Sequence, residues 1–195
     1  MDTRTLAALA LGIAFVLPVG AHHASGHGNA SSTEAIRISF SDRPLVTQDG
    51  VRVRFFTDLV KDKVVLINFV FTECVDTCPM QTAKVAAVQS LLGGMVGNPI
   101  HLLSISADPE RDRPDVLQDY ARRFDARQGW TFLTGDKKDI DAVTRRLAHA
   151  APAREAHTSL FFLGNARTGR WVAVDPVATP LELAERLNDL AAESS

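Results

Sequence analysis

Residues 64–71 read Val-Val-Leu-Ile-Asn-Phe-Val-Phe, a nearly unbroken apolar run rich in β-branched side chains. A strand with one wet face alternates apolar and polar residues. A continuous run is the pattern of a strand covered on both faces, as at the centre of a sheet sandwiched between helix layers. This segment therefore demands helices on two sides, and the rest of the chain has to supply them. Residues 79–92 have helical spacing, with Pro79 in a first-turn position and Gly93-Gly94 as the stop. Residues 100–106 read as a second buried strand, 113–124 as a helix opened by Pro114 and Asp115, and 130–133 as a short strand. Residues 136–149 read as a helix, acidic at its start and basic near its end, which suits the helix dipole.

Two hairpins flank this alternation. Pro44-Leu45-Val46 and Val51-Arg52-Val53-Arg54 are separated by a turn containing Asp49-Gly50, and strand-like character begins at Ile36. Residues 159–163 and 171–174 pair around a turn at 165–169, and an amphipathic helix over 179–192 closes the chain. The order is hairpin, β, α, β, α, β, α, β, β, α. It predicts one α/β domain over 36–195, with a mixed central sheet, flanking helices and an N-terminal β-hairpin. A chain of 195 residues buries enough core to need neither staples nor metals for stability. The net charge of −2 gives no reason to expect nucleic acid as a partner.

Residues 1–21 stand apart. One arginine precedes an apolar stretch over 6–19, and Val19-Gly20-Ala21 provides small residues at signal-peptidase spacing. The segment reads as a secretory signal or, uncleaved, as a membrane anchor. Pro18 interrupts it, and it falls short of the roughly 20 residues a spanning helix needs. Either reading exports the rest, with membrane contact only through the N-terminus. Residues 22–35 are rich in His, Gly, Ser and Ala and read as a flexible linker. His22, His23 and His27 lie there, in a solvated spacer able to pick up divalent metal.

Export changes the meaning of the two cysteines, Cys74 and Cys78. An oxidising compartment lets them pair. A loop this small returns little stabilisation from a disulfide, so the pair points to chemistry rather than stapling. Redox enzymes of the thioredoxin type use Cys-x-x-Cys. One more residue widens the loop, so the sulfurs can converge on a metal and can still oxidise to each other. They follow the most buried strand and open a helix, where the dipole favours thiolates. Thiolates suit Cu(I) and Zn(II), and an added imidazole completes a trigonal copper site. His157 leads the imidazole candidates, because it precedes a strand whose entry loop should face the cysteines. His101 and His149 stay open. Asp108, Glu110, Arg111 and Asp112 read as a helix-capping, surface ion-paired cluster, with a supporting or docking role as the other reading.

The chain resembles the Sco/SenC copper chaperones of respiratory oxidase assembly over about 43–190. The resemblance rests on Cys74-Val75-Asp76-Thr77-Cys78-Pro79 after an aromatic-Thr pair, and on Ser106-Ala107-Asp108-Pro109-Glu110-Arg111-Asp112 followed by Pro114. It also rests on Trp130-Thr131-Phe132-Leu133-Thr134-Gly135-Asp136 and on His157-Thr158. It implies a thioredoxin-like fold and metal ligands at Cys74, Cys78 and His157, holding Cu(I) or Cu(II). The export signal at residues 1–21 adds the expectation of a periplasmic protein, or one on the outer face of the cytoplasmic membrane. The implied recipient is the copper-bearing subunit of cytochrome c oxidase, with a copper donor chaperone and a thiol reductant as further partners. Val75 replaces a Pro common in the family, and the segment 148–156 is short and Ala-rich where many members carry a longer acidic and aromatic loop. The competing function is a thiol–disulfide oxidoreductase or redox sensor using Cys74 and Cys78, with a peroxidase as a variant. A binding module with an inert disulfide ranks below both.

Overall fold

A computed structural model describes Met1 and residues 33–74, 77–151 and 160–193. The signal segment, the linker histidines, Val75, Asp76 and His157 lie outside the described residues. The described strands form one eight-stranded mixed sheet in the order β1-β8-β7-β4-β5-β6-β2-β3. In chain order they are β1 (Thr33–Ile36), β2 (Pro44–Thr47), β3 (Arg52–Arg54), β4 (Val64–Val70), β5 (Ile100–Ser106), β6 (Trp130–Thr134), β7 (Phe161–Asn165) and β8 (Arg170–Val174). The helices are α1 (Thr77–Leu92), α2 (Pro114–Arg123), α3 (Lys137–Ala150) and α4 (Pro180–Ala192).

β4 occupies the predicted central place, buried at all seven positions. Its side chains divide by parity. Val64, Leu66 and Val70 join Val85 and Val88 of α1, Leu117 of α2 and Leu187 of α4. Val65, Ile67 and Phe69 join Ile140 and Val143 of α3, together with Phe55 and Val60. Helices on both faces are what an all-apolar strand requires. β4, β5 and β6 run parallel, and β7 and β8 complete the sheet as an antiparallel pair. This is the thioredoxin-like arrangement the resemblance implied.

The N-terminal hairpin is present, with Gly50 at a φ of +76° in its turn, where a side chain would be strained. It packs on the outer side of β6. Two features escaped the sequence pattern. Phe55–Val60 forms a single π-helical turn. The linker reading over 22–35 also runs too far, because Thr33–Ile36 pairs along β8. Edge pairing uses backbone groups, so Thr-Glu-Ala-Ile needs no apolar alternation to become a strand.

Candidate metal centre

The strand directions place one edge of the sheet at the centre of interest. β4, β5, β6 and β8 all end there, and antiparallel β7 begins there. Loops at such a carboxyl edge are the usual place for function in open α/β sheets.

β4 leads at this edge into a turn. The Cys74 N–H donates to the Phe71 carbonyl at 3.1 Å, which makes Thr72 and Glu73 the two central residues. Cys74 is half-buried at the exit of the turn. Cys78 is the second residue of α1, one position earlier in the helix than Pro79. Its side chain lies outside the described residues. The helix thus starts before the predicted 79, and Cys78 belongs to the first turn, where the backbone N–H groups and the dipole stabilise a thiolate.

Both central residues of the turn are tied to the loop that follows β5. Asp112 is fully buried, and its Oδ1 accepts from the Thr72 N–H at 3.3 Å and from the Thr72 hydroxyl. Its Oδ2 accepts from the Ser106 hydroxyl at 2.6 Å. Ser106 Oγ accepts in turn from the Asp108 N–H at 3.0 Å, and the Ala107 N–H extends the ladder to the Val70 carbonyl at 2.8 Å. Outside this buried knot, Arg111 bridges Asp108 at 3.1 Å and Glu73 at 3.6 Å. These ion pairs are exposed, and such pairs contribute little on their own.

The surface reading of the 108–112 cluster therefore holds for Asp108, Glu110 and Arg111, with the ion pair between Asp108 and Arg111, and the helix-capping part does not hold. α2 takes Arg113 as its N-cap, with no side-chain cap bond. Asp112 turns inward instead. The spacing Ser106…Asp112 after a buried strand was the available signal. It became legible only when β4 and β5 paired in register, Val70 opposite Ser106.

Of the histidines, His101 sits at the far end of β5, opposite Val65. Five residues of strand separate that level from Val70, about 17 Å. Burial, and secondly the nearby Lys63 charge, push its pKa below 6.5. His149 lies in the last turn of α3, about 18 Å along the helix axis from its start beside β6. Neither belongs to the Cys74 turn. β7 begins at the cysteine edge, with Phe161 opposite Val174 and Phe162 opposite Ile67. His157 precedes Phe161 by four residues, a tether of at most about 14 Å. The short Ala-rich run before it starts as the last turn of α3, with the Ala151 N–H closing on the Leu147 carbonyl at 3.2 Å. Among the described residues no three His, Cys, Asp or Glu side chains form a metal-binding group.

A model of the SCO1/SenC family matches residues 30–192. The chain belongs to the SCO1/SenC family. The SCO1 protein homolog of Bacillus subtilis is 35% identical over 89 residues, which is 45% of this chain and 45% of that protein. Sco1 of Schizosaccharomyces pombe is 31% identical over 86 residues, 44% of this chain and 32% of that one. The chain thus spans less than half the length of these curated relatives. Among solved structures, copper-bound ScoI of Bradyrhizobium japonicum superposes with a TM-score of 0.63 at 29% identity, covering 77% of this chain and 98% of that one. A SCO1/SenC family lipoprotein from Bacillus anthracis superposes at 0.67 with 23% identity, covering 81% and 98%, and supports the fold. The described residues contain no helix long and apolar enough to cross a membrane.

Proposed function

We propose that the chain is an exported copper chaperone. It holds one copper ion through Cys74, Cys78 and His157 and delivers it to the binuclear copper centre of cytochrome c oxidase. The observation that carries this reading is the placement of Cys74 on a braced turn directly before the helix whose first turn carries Cys78. Two thiols on rigid elements four residues apart form a soft donor set. An imidazole from the segment entering β7 completes it, and family membership and the copper-bound relative from Bradyrhizobium japonicum support the choice.

Copper here is cargo. Delivery needs ligands that bind tightly yet release stepwise. Cys74 and Cys78 provide the fixed part, and His157 the ligand that engages and leaves. The cycle involves no catalytic turnover. Export follows from residues 1–21, and places the domain in the periplasm or on the outer face of the cytoplasmic membrane.

The second reading is a thiol–disulfide oxidoreductase or redox sensor. The position of Cys78 in the first turn of α1 favours it, because a thiolate there is the nucleophile that exchange requires. Titration of the reduced protein with Cu(I) and Cu(II), beside Cys74→Ser and His157→Ala, separates the two. The chaperone binds one copper per chain and loses Cu(II) affinity at least tenfold on His157→Ala. Reduced protein that takes up no stoichiometric copper refutes the chaperone and leaves the exchange reading.

A further inference from the structure

The buried knot beneath the Cys74 turn has no part in the ligand set, and the chaperone reading leaves it unexplained. A carboxylate with no exposed surface is costly unless its oxygens are satisfied. Asp112 meets that demand with three donors, two from the turn after β4 and one from the end of β5: the Thr72 N–H, the Thr72 hydroxyl and the Ser106 hydroxyl. Among the described residues no Lys or Arg pairs with it. Its backbone is itself held, the Asp112 N–H donating to the Asp108 carbonyl at 2.9 Å. Thr72 receives two of the three bonds, and Thr72 is the first central residue of the turn that ends on the Cys74 N–H.

We propose that Asp112 is the positioning residue of the cysteine pair: through Thr72 it locks the turn that carries Cys74, and so limits the orientations from which Cys74 can meet Cys78. A turn closed by one backbone bond and exposed at Glu73 would sample many orientations. Anchoring Thr72 to a buried carboxylate held in the loop after β5 removes that freedom. The entropy of holding the sulfurs together is then met by the fold rather than by each bond they form. Both outcomes open to the pair benefit: closure of the disulfide, and capture of one copper ion. The second outcome rests on the chaperone reading; the first does not.

The test uses Thr72→Val, which deletes one donor and keeps the side-chain shape, Asp112→Asn, and Thr72→Ser, which restores the hydroxyl. Each variant is equilibrated in glutathione redox buffers and the oxidised fraction is read by thiol alkylation. In this exchange the two thiols and one oxidised glutathione give the internal disulfide and two reduced glutathiones, with two electrons and two protons passing to glutathione. Thr72→Val and Asp112→Asn are expected to lower the equilibrium constant for disulfide formation threefold or more, about 14 mV for a two-electron couple. Thr72→Ser is expected to stay close to the wild-type constant, above both other variants. Copper affinity of the reduced forms falls in the same order.

An equilibrium constant unchanged, or raised, in folded Thr72→Val overturns the proposal, even where its melting temperature drops. If Asp112→Asn fails to fold, Thr72→Val and its serine rescue decide alone. If the wild-type protein binds no copper, the chaperone reading falls, while the glutathione comparison still decides the role of Asp112.

Discussion

Gly164 offers the sharpest test of how β7 is held in the sheet. It lies opposite Val65 of β4 on one side and Trp171 of β8 on the other. A β-carbon at this position would stand 2.2 Å from Cδ2 and Cε3 of Trp171 and 2.8 Å from Cε2. Ordinary carbon contacts are about 3.5–4.0 Å, so the overlap exceeds 1 Å. The indole has little room to retreat, being 4% exposed with the Phe40 ring centroid 4.6 Å away. Overpacking of this kind costs about 1–3 kcal/mol, and a confined ring belongs at the upper end. Alanine returns roughly 0.4–1 kcal/mol by restricting the unfolded chain. The net for Gly164→Ala is a loss of about 2 kcal/mol, which lowers Tm by about 4–8 °C in a domain of this size. Urea unfolding followed by circular dichroism measures it, beside Trp171→Leu and the double variant. With the indole gone the clash goes and only the gain of roughly 0.4–1 kcal/mol remains, so the double-mutant cycle should show a coupling of about 3 kcal/mol, the whole of the clash. A Tm shift under about 2 °C for Gly164→Ala, or the same cost in the Trp171→Leu background, refutes the clash as the cause.

Two further substitutions probe the interior. His101 titrates below its unfolded value of 6.5, first because it is buried and then because Lys63 is near. Its folded form thus resists protonation, the unfolded chain binds more protons below pH 6.5, and stability falls as pH drops from 6.5 toward the folded value. His101→Gln should flatten that part of the stability–pH curve, measured as the urea midpoint between pH 7.5 and 5; an unchanged slope contradicts the assignment. Ser104→Ala breaks a buried chain in which Trp130 Nε1 donates to Ser104 Oγ at 2.9 Å and Ser104 donates to Asn68 Oδ1 at 2.7 Å. It orphans one donor and one acceptor, so the urea midpoint should fall by the equivalent of about 2–3 kcal/mol with an unaltered m-value.

Much of this architecture follows from local pattern. The apolar run at 64–71 was enough to place a central strand and to require cover on both faces, and the helical segments alternating with the strands identified that cover as helices. Asp49-Gly50 signalled its hairpin because a positive φ needs glycine, and β5 begins and ends where its composition says. Cys74 and Cys78 stood out as a candidate reactive pair from spacing, placement and export together, and the start of α1 at Thr77 puts Cys78 in its first turn. The other features depend on neighbours distant in the chain. β1 is a strand because β8 offers an unpaired edge. Gly164 is required because Trp171 crosses it from the next strand. Asp112 looked like one more surface acid in a charged run. It became the buried anchor of the cysteine turn only when parallel pairing brought the end of β5 beside the end of β4. Local sequence carries backbone propensity and the kind of chemistry a side chain offers. Which groups lose water, and which partners then satisfy them, is decided by the assembled sheet.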